Sequence, residues 1–595
     1  KNKNPLAKNL GNMYHSWLKL SPFAAKKQVH KIVNMIDDYR KDPGNLWKFL
    51  AHVSKNEVVK IGNPLHWSVE PDMKNSKVYT NYIYGPQFGL YDLDIYFLTK
   101  KSDYKERDAY VKYINKIFST CLGPNHGCSG MDVFDLEKEM ILMFDCRKIK
   151  EDPENVYNKI KTSESLSKYK FNWPEYCREL GYKEVPPYFI TSNINYLLCM
   201  SKSLQKNWTS KKWRSYWIYM YLGQLIRFHK DWRYMYFNYH EKKLAGQSVI
   251  FPKEIYPIFG LSIAFNTFLT KQYVKLAYKK ENVDYTRRMA DNLLELLINR
   301  IKKNSWLSPK TKVHALKKLE HIDFMIGAPE KLRNDPLLDY SDDDPWENMQ
   351  KIFDWRAKEY VKLNDQPIID IPEVNWKIFK VEGSQAYVVN AYYMPIFNQV
   401  YMPLAYLQNP FLDLQDTGIE YNLAFLGFTI GHELCHSLDD MGSKYDHEGN
   451  LKNWWTPHDK KVYKQKIKNI NEQYTKFMGY DGIKTDVTLY IGENMADIGG
   501  LALCSDYLVL YHTLKRNVEG IAITFLSFRM FYNFYAMQMR QKIHDEAFDI
   551  QLKTNPHPLD KYRCNCPIAR LDMYRKLFNI KPKDKMYWPS NDTIW

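Results

Sequence analysis

The chain contains no Cys-x-x-Cys pair, no internal repeat and no low-complexity tract, and glycine supplies only 25 of its 595 residues. Those absences exclude paired-cysteine zinc modules, collagen, solenoids and long coiled coils. Long apolar runs are also missing. The most apolar stretch, 521–539, is broken by Arg529 and carries Ser527, Asn533 and Gln538, which predicts a buried core helix and no membrane span. Lys1-Asn2-Lys3-Asn4-Pro5 lacks the apolar segment of a signal peptide, and a start at Lys rather than Met implies an incomplete N-terminus.

Acidic residues are the scarcer sign, 68 against 85 Lys and Arg, for a net charge of +17. The basic residues are spread along the whole chain, and the densest groups, 206–212 and 460–468, read as solvated helix faces. Nucleic-acid binding is therefore not expected, and an acidic partner surface accounts for the charge equally well. Cysteine is sparse. Nine residues, at 121, 128, 146, 177, 199, 435, 504, 564 and 566, leave at least one unpaired and point towards a reducing compartment. Nothing in the sequence fixes the localisation further.

What is present in quantity is aromatic: 46 Tyr, 29 Phe and 16 Trp imply bulky cores or wide aromatic surfaces. The length corresponds to about four domain equivalents, ample for more than one core without disulfide or metal staples. Residues 1–350 read as mainly helical. Ser308-Pro309 is a helix start, and the helix is expected to run to about Met325, with Gly327-Ala328-Pro329 ending it. Residues 333–350, with Asp342-Asp343-Asp344-Pro345, read as an exposed acidic connection and the boundary before a second lobe, 351–595. Residues 384–393 form the clearest strand, limited by Pro395, and long apolar helices are predicted over 419–440 and 486–512.

The chemistry is concentrated in Gly431-His432-Glu433-Leu434-Cys435-His436. On a helix, His432 and His436 share one face, so both imidazoles reach one ion, and Glu433 points at a water on it. Residues 423–430 are almost wholly apolar, so a His-Glu pair buried after them without a partner would cost several kcal/mol. Zinc requires a third protein ligand and an open position. Glu493, 57 residues after the first motif ends, supplies that ligand, and Asp497 lies on the same helix face, placed to buttress a ligand histidine. Asp439, three residues after His436, is placed for the same duty or is a helix-terminal charge. Cys435 falls on another face and reads as packing.

These motifs, together with Val389-Asn390-Ala391-Tyr392-Tyr393, resemble the neprilysin family of zinc peptidases, which includes the endothelin-converting enzymes and bacterial oligopeptidase O. The resemblance extends from about residue 60 to Trp595 through Trp67-Ser68-Val69-Glu70-Pro71, Trp306-Leu307-Ser308, Met325-Ile326-Gly327, Asn398-Gln399-Val400 and Leu407-Gln408-Asn409-Pro410-Phe411. The exported branch's cysteine near the C-terminus is absent, as is its cysteine between 435 and 504, so the chain is more similar to the disulfide-poor bacterial branch.

The resemblance implies a mainly α, two-lobed protein, in which a zinc lobe with a small β-sheet and a helical cap enclose a chamber; early helices of 1–350 are expected to return to the zinc lobe. It implies one Zn²⁺ per chain on His432, His436 and Glu493, with Glu433 as general base and Asp439 and Asp497 orienting the histidines. It also implies His557 at the oxyanion, Arg563 on the substrate backbone with no part in holding the metal, and Asn390 and Ala391 on the strand that pairs with the bound peptide. The expected activity is endopeptidase cleavage of short peptides on the amino side of hydrophobic residues. A catalytically inert structural or assembly protein on the same scaffold is the alternative, but decay tends to remove the base or a ligand first, and all are intact here.

Overall fold

The computed structural model describes residues 4–19, 22–144, 152–229, 231–328, 334–368, 385–514 and 521–595. Most are helical, and the aromatic wealth is buried. One core packs Trp17, Trp47, Trp67, Trp173, Trp208, Trp213 and Trp217, with Phe49 lying 5.5 Å from Trp208 and 5.0 Å from Trp217 between ring centroids. Edge and stacked contacts of this kind add to plain burial and suit helices whose faces are too bulky for close backbone approach.

A second core gathers Met289 to Ile326 with Ala386 to Trp595, whereas Tyr340 and Trp346 to Ala357 pack in the first. The chain thus crosses between the cores more than once, and a single boundary at 350 does not describe it. The helix Lys280–Lys303, with an apolar face of Met289, Leu293, Leu297 and Ile301, and the helix Pro309–Glu320 both belong with the metal-site half. The acidic stretch before 350 is not a loose connection either. Asp344 is 6 % exposed, accepts from Glu347 N and Gln28 Nε2, and caps the helix Pro345–Leu363.

Two small sheets accompany the helices. In the first, β1 (His66–Asp72), β2 (Asn75–Tyr84), β3 (Asn158–Lys161) and β4 (Tyr188–Thr191) lie in the order β1-β2-β4-β3. The β1–β2 turn reaches the second half, where Leu451 N donates to Met73 O at 2.6 Å and Ser76 N to Asn450 Oδ1 at 2.9 Å. In the second sheet, β5 (Asp323–Gly327), β6 (Tyr392–Met394) and β7 (Gln399–Pro403) take the order β5-β7-β6, so β6 is an edge.

Three sequence expectations change here. The helix from Pro309 stops at Glu320, and 323–327 pairs in parallel with β7, a long-range contact that local periodicity cannot register. The strand expected over 384–393 is confined to Tyr392–Met394; Ser384 lies outside the described residues, and 385–391 run as turn and coil. The helix Ile521–Gln538 buries Phe528, Phe531, Tyr532 and Tyr535, but leaves Phe525, Leu526, Met530 and Met537 exposed. No described helix is long and apolar enough to cross a membrane.

Candidate metal and active site

Two helices bring the chemistry together. Helical turns run from Ile419 through a π segment, Leu423–Gly427, into Phe428–Cys435, and end at His436 rather than at 440. The second helix, Ile491–Leu514, crosses it at glycine. A methyl group on Gly500 would stand 2.6 Å from His432 N, so only a residue without a side chain permits this crossing. The close approach sets Glu493 and Asp497 against the two histidines. Cys435 is buried in the apolar core, as expected from its helix face.

His432 Nε2 and His436 Nε2 are 3.0 Å apart, and Glu493 Oε2 lies 3.2 and 3.6 Å from them. Donors of a tetrahedral zinc with bonds of about 2.0 Å stand roughly 3.3 Å from one another, so the trio fits that ion. Each imidazole is held from behind. His432 Nδ1 lies 2.8 Å from Asp497 Oδ1, and His436 Nδ1 lies 2.7 Å from Asp439 Oδ2. A carboxylate at Nδ1 takes the N–H there and leaves the Nε2 lone pair for a metal.

The electrostatics match that division of roles. Burial opposes charge on both imidazoles, yet the hydrogen bonds to Asp497, Asp439 and Glu493 outweigh it and raise both pKa values. Burial also opposes ionisation of Glu493, but hydrogen bonds from three imidazoles hold its carboxyl far below the ordinary range. Asp497 is fully buried; desolvation would raise its pKa, and the Arg563 guanidinium and its hydrogen bonds instead bring it down to about 2.

The remaining expected residues line one cavity of about 1130 Å³ with the trio: Glu433, His557, Arg563, Asn390 and Ala391. Glu433 is 6 % exposed. His557 Nε2 lies 2.9 Å from Glu493 Oε2, and its Nδ1 faces Asn555 Oδ1 at 3.2 Å. Asn390 and Ala391 immediately precede the edge strand β6. Arg563 departs from expectation, because its Nε and Nη2 donate to the two oxygens of Asp497 at 2.9 and 2.8 Å. It is thereby joined to His432 and hence to the metal site.

Sequence reasoning missed the rest of the wall. Tyr406, Phe411, Phe428 and Met539 give it an apolar side, while Asp152 and Lys444, paired at 2.9 Å, close it between the two halves of the chain. Phe411 lies in the 407–411 segment and Phe428 in the apolar 423–430 run, but neither segment assigns them to the site, and only convergence in space does so.

The sequence profile of Peptidase family M13 matches residues 1–329 and 390–594, and the chain belongs to that family. It is 25% identical over 582 residues to the neutral endopeptidase of Lactococcus lactis subsp. lactis, covering 95% of this chain and 85% of that protein. An endothelin-converting enzyme homolog of Locusta migratoria is 24% identical over 563 residues, 90% of this chain and 75% of its own. In structure the chain is similar to the Mycobacterium tuberculosis zinc metalloprotease in complex with an inhibitor, with a TM-score of 0.83 at 23% identity, covering 97% of this chain and 87% of that one. The protein is a zinc metalloendopeptidase, and His432, His436 and Glu493 form its candidate metal site.

Proposed function

We propose that this peptidase cleaves internal bonds of short, unstructured peptides on the amino side of hydrophobic residues. The observation that carries the reading is the shared cavity, in which the metal trio, Glu433 and the edge strand β6 meet an apolar wall of Tyr406, Phe411, Phe428 and Met539. An extended peptide added beside β6 at Asn390-Ala391 would place one side chain against that wall and the next bond at the metal. When bound, Zn²⁺ supplies Lewis acidity to the scissile carbonyl and to a water.

The protein groups do the rest. Glu433 takes the water's proton and passes it to the leaving amine. Asp497 and Asp439 keep Nδ1 of His432 and His436 protonated, so that each Nε2 faces inward. His557 Nε2 donates to the developing oxyanion, and Arg563 meets the peptide backbone while holding Asp497. Cleavage of a randomised peptide library by the zinc-loaded enzyme, with products located by mass spectrometry, tests the reading. Cuts clustered before Phe, Leu, Ile or Met, and lost in Glu433→Gln, are expected; cuts without that clustering overturn the specificity.

A further inference from the structure

Beneath the metal ligands lies a cation that no step of the reaction uses. Lys318, on the helix Pro309–Glu320, is 1 % exposed. Its Nζ donates to Gly442 O at 2.5 Å and to Tyr445 O at 2.8 Å, the two ends of the short turn after the His432 helix. Burying an ammonium is costly, and here the cost falls on a group that ties down one turn. Burial draws its pKa down to about 7 against the opposing pull of Asp439 and Asp446.

The turn it ties is the one that aims Asp439. Gly442 N and Met441 N donate to Asp439 Oδ1 at 2.6 and 2.9 Å, leaving Oδ2 for His436 Nδ1 at 2.7 Å. The turn presses so closely on the end of the metal helix that a methyl group on Gly442 would lie 1.9 Å from His436 O. An unbroken route of contacts therefore runs from Lys318 through the turn and Asp439 to His436. A second route exists: Lys318 Nζ stands 5.8 Å from the Tyr393 ring in β6, and Lys318 O accepts from Asn398 Nδ2 at 2.9 Å.

We propose that Lys318 is a positioning residue for the zinc site, fixing the 442–445 turn so that Asp439 holds the ring of His436 ready for the metal. The proposal rests on the zinc reading of His432, His436 and Glu493.

The test is a zinc titration against a competing chelator on the full chain, wild type, Lys318→Met, Asp439→Asn and the double variant, with near-UV circular dichroism confirming that each is folded. Residues that orient a ligand histidine contribute about 10–100-fold to metal affinity. Lys318→Met is expected to bind zinc about tenfold more weakly. If it acts through Asp439, the double variant binds no more weakly than Asp439→Asn. Wild-type affinity in folded Lys318→Met overturns the proposal, as do additive losses or an unchanged affinity with a raised KM, which would assign Lys318 to β6. Should Lys318→Met not fold, Lys318→Gln, which retains a donor without the charge, takes its place with the same two criteria. Failure of the wild-type protein to bind zinc would instead sink the underlying metal assignment.

Discussion

Arg563 and His432 meet on one oxygen: Oδ1 of Asp497 accepts from Arg563 Nη2 and His432 Nδ1, both at 2.8 Å. A residue expected only to hold substrate is thus tied to a metal ligand through a buried carboxylate. Removing the guanidinium leaves Asp497 charged and buried with only the His432 N–H as donor; stripping a buried charge of its ionic partner typically costs about 3–5 kcal/mol.

Arg563→Met should therefore weaken zinc binding by about 10–100-fold as well as impair peptide turnover. Chelator competition at a temperature where the variant remains folded measures the first effect. Zinc affinity equal to wild type would restore the view of Arg563 as a substrate contact alone.

Glu433 and Glu493 line the same cavity, and the same substitution should separate them. Glu433→Gln keeps size and hydrogen bonding but cannot accept a proton, so zinc stays bound while turnover falls at least about a hundredfold. Glu493→Gln removes one of three ligands and should lose most of the metal. Zinc content by atomic absorption and kcat on one fluorogenic peptide distinguish the pair; full zinc in Glu493→Gln would refute the ligand set.

Far from the metal, Glu137 sits 3 % exposed in the first core, accepting from Tyr96 and Tyr110 hydroxyls at 2.6 and 3.0 Å and from Gly89 N at 3.2 Å. Burial pushes its carboxyl up to about 7. The folded state then binds more protons than the unfolded state between about pH 4.5 and 7, so stability falls as pH rises through that window, by about 3 kcal/mol in all. Glu137→Gln has no proton to lose there. Its Tm should decline less than that of wild type from pH 5 to 8, with the difference in Tm growing in the variant's favour. Parallel curves would place the group's titration elsewhere.

How far the sequence could be read depended on whether a signal was local. His432, His436 and Glu493 were legible because helical spacing fixes which side chains share a face, and because a buried polar pair demands a partner. The π segment before them left that face intact. Parallel pairing of β5 with β7 was not legible, since the partner of Asp323–Gly327 lies far along the chain, beyond the helix Pro345–Leu363 and β6. Lys318 and the pairing of Arg563 with Asp497 were opaque for a different reason. A lysine on a helix looks like surface charge until packing buries it against Gly442, and the resemblance that marks Arg563 as a substrate contact carries no sign of its bond to Asp497.

A cavity of about 1130 Å³ corresponds to a sphere roughly 6.5 Å in radius. A folded domain of 100 residues has a radius of gyration of about 13 Å, so it cannot enter as a folded body. Ion pairs also bridge the two halves of the chain, Lys444 with Asp152 at 2.9 Å in the cavity wall and Lys553 with Asp92 at 2.8 Å. On the proposed reading, a peptide enters as an extended segment and lies beside β6. A protein must first unfold, at about 5–15 kcal/mol, which lowers the population of cleavable chain at least about a thousandfold. The decisive comparison sets one sequence as a free peptide against the same sequence within a stably folded domain, at equal concentration. The free peptide should be cut at least a thousandfold faster, and destabilising the domain by a mutation outside the cleaved segment should narrow the gap in proportion to its loss of stability. Equal rates for peptide and folded domain would show that substrate reaches the metal without entering an enclosed cavity.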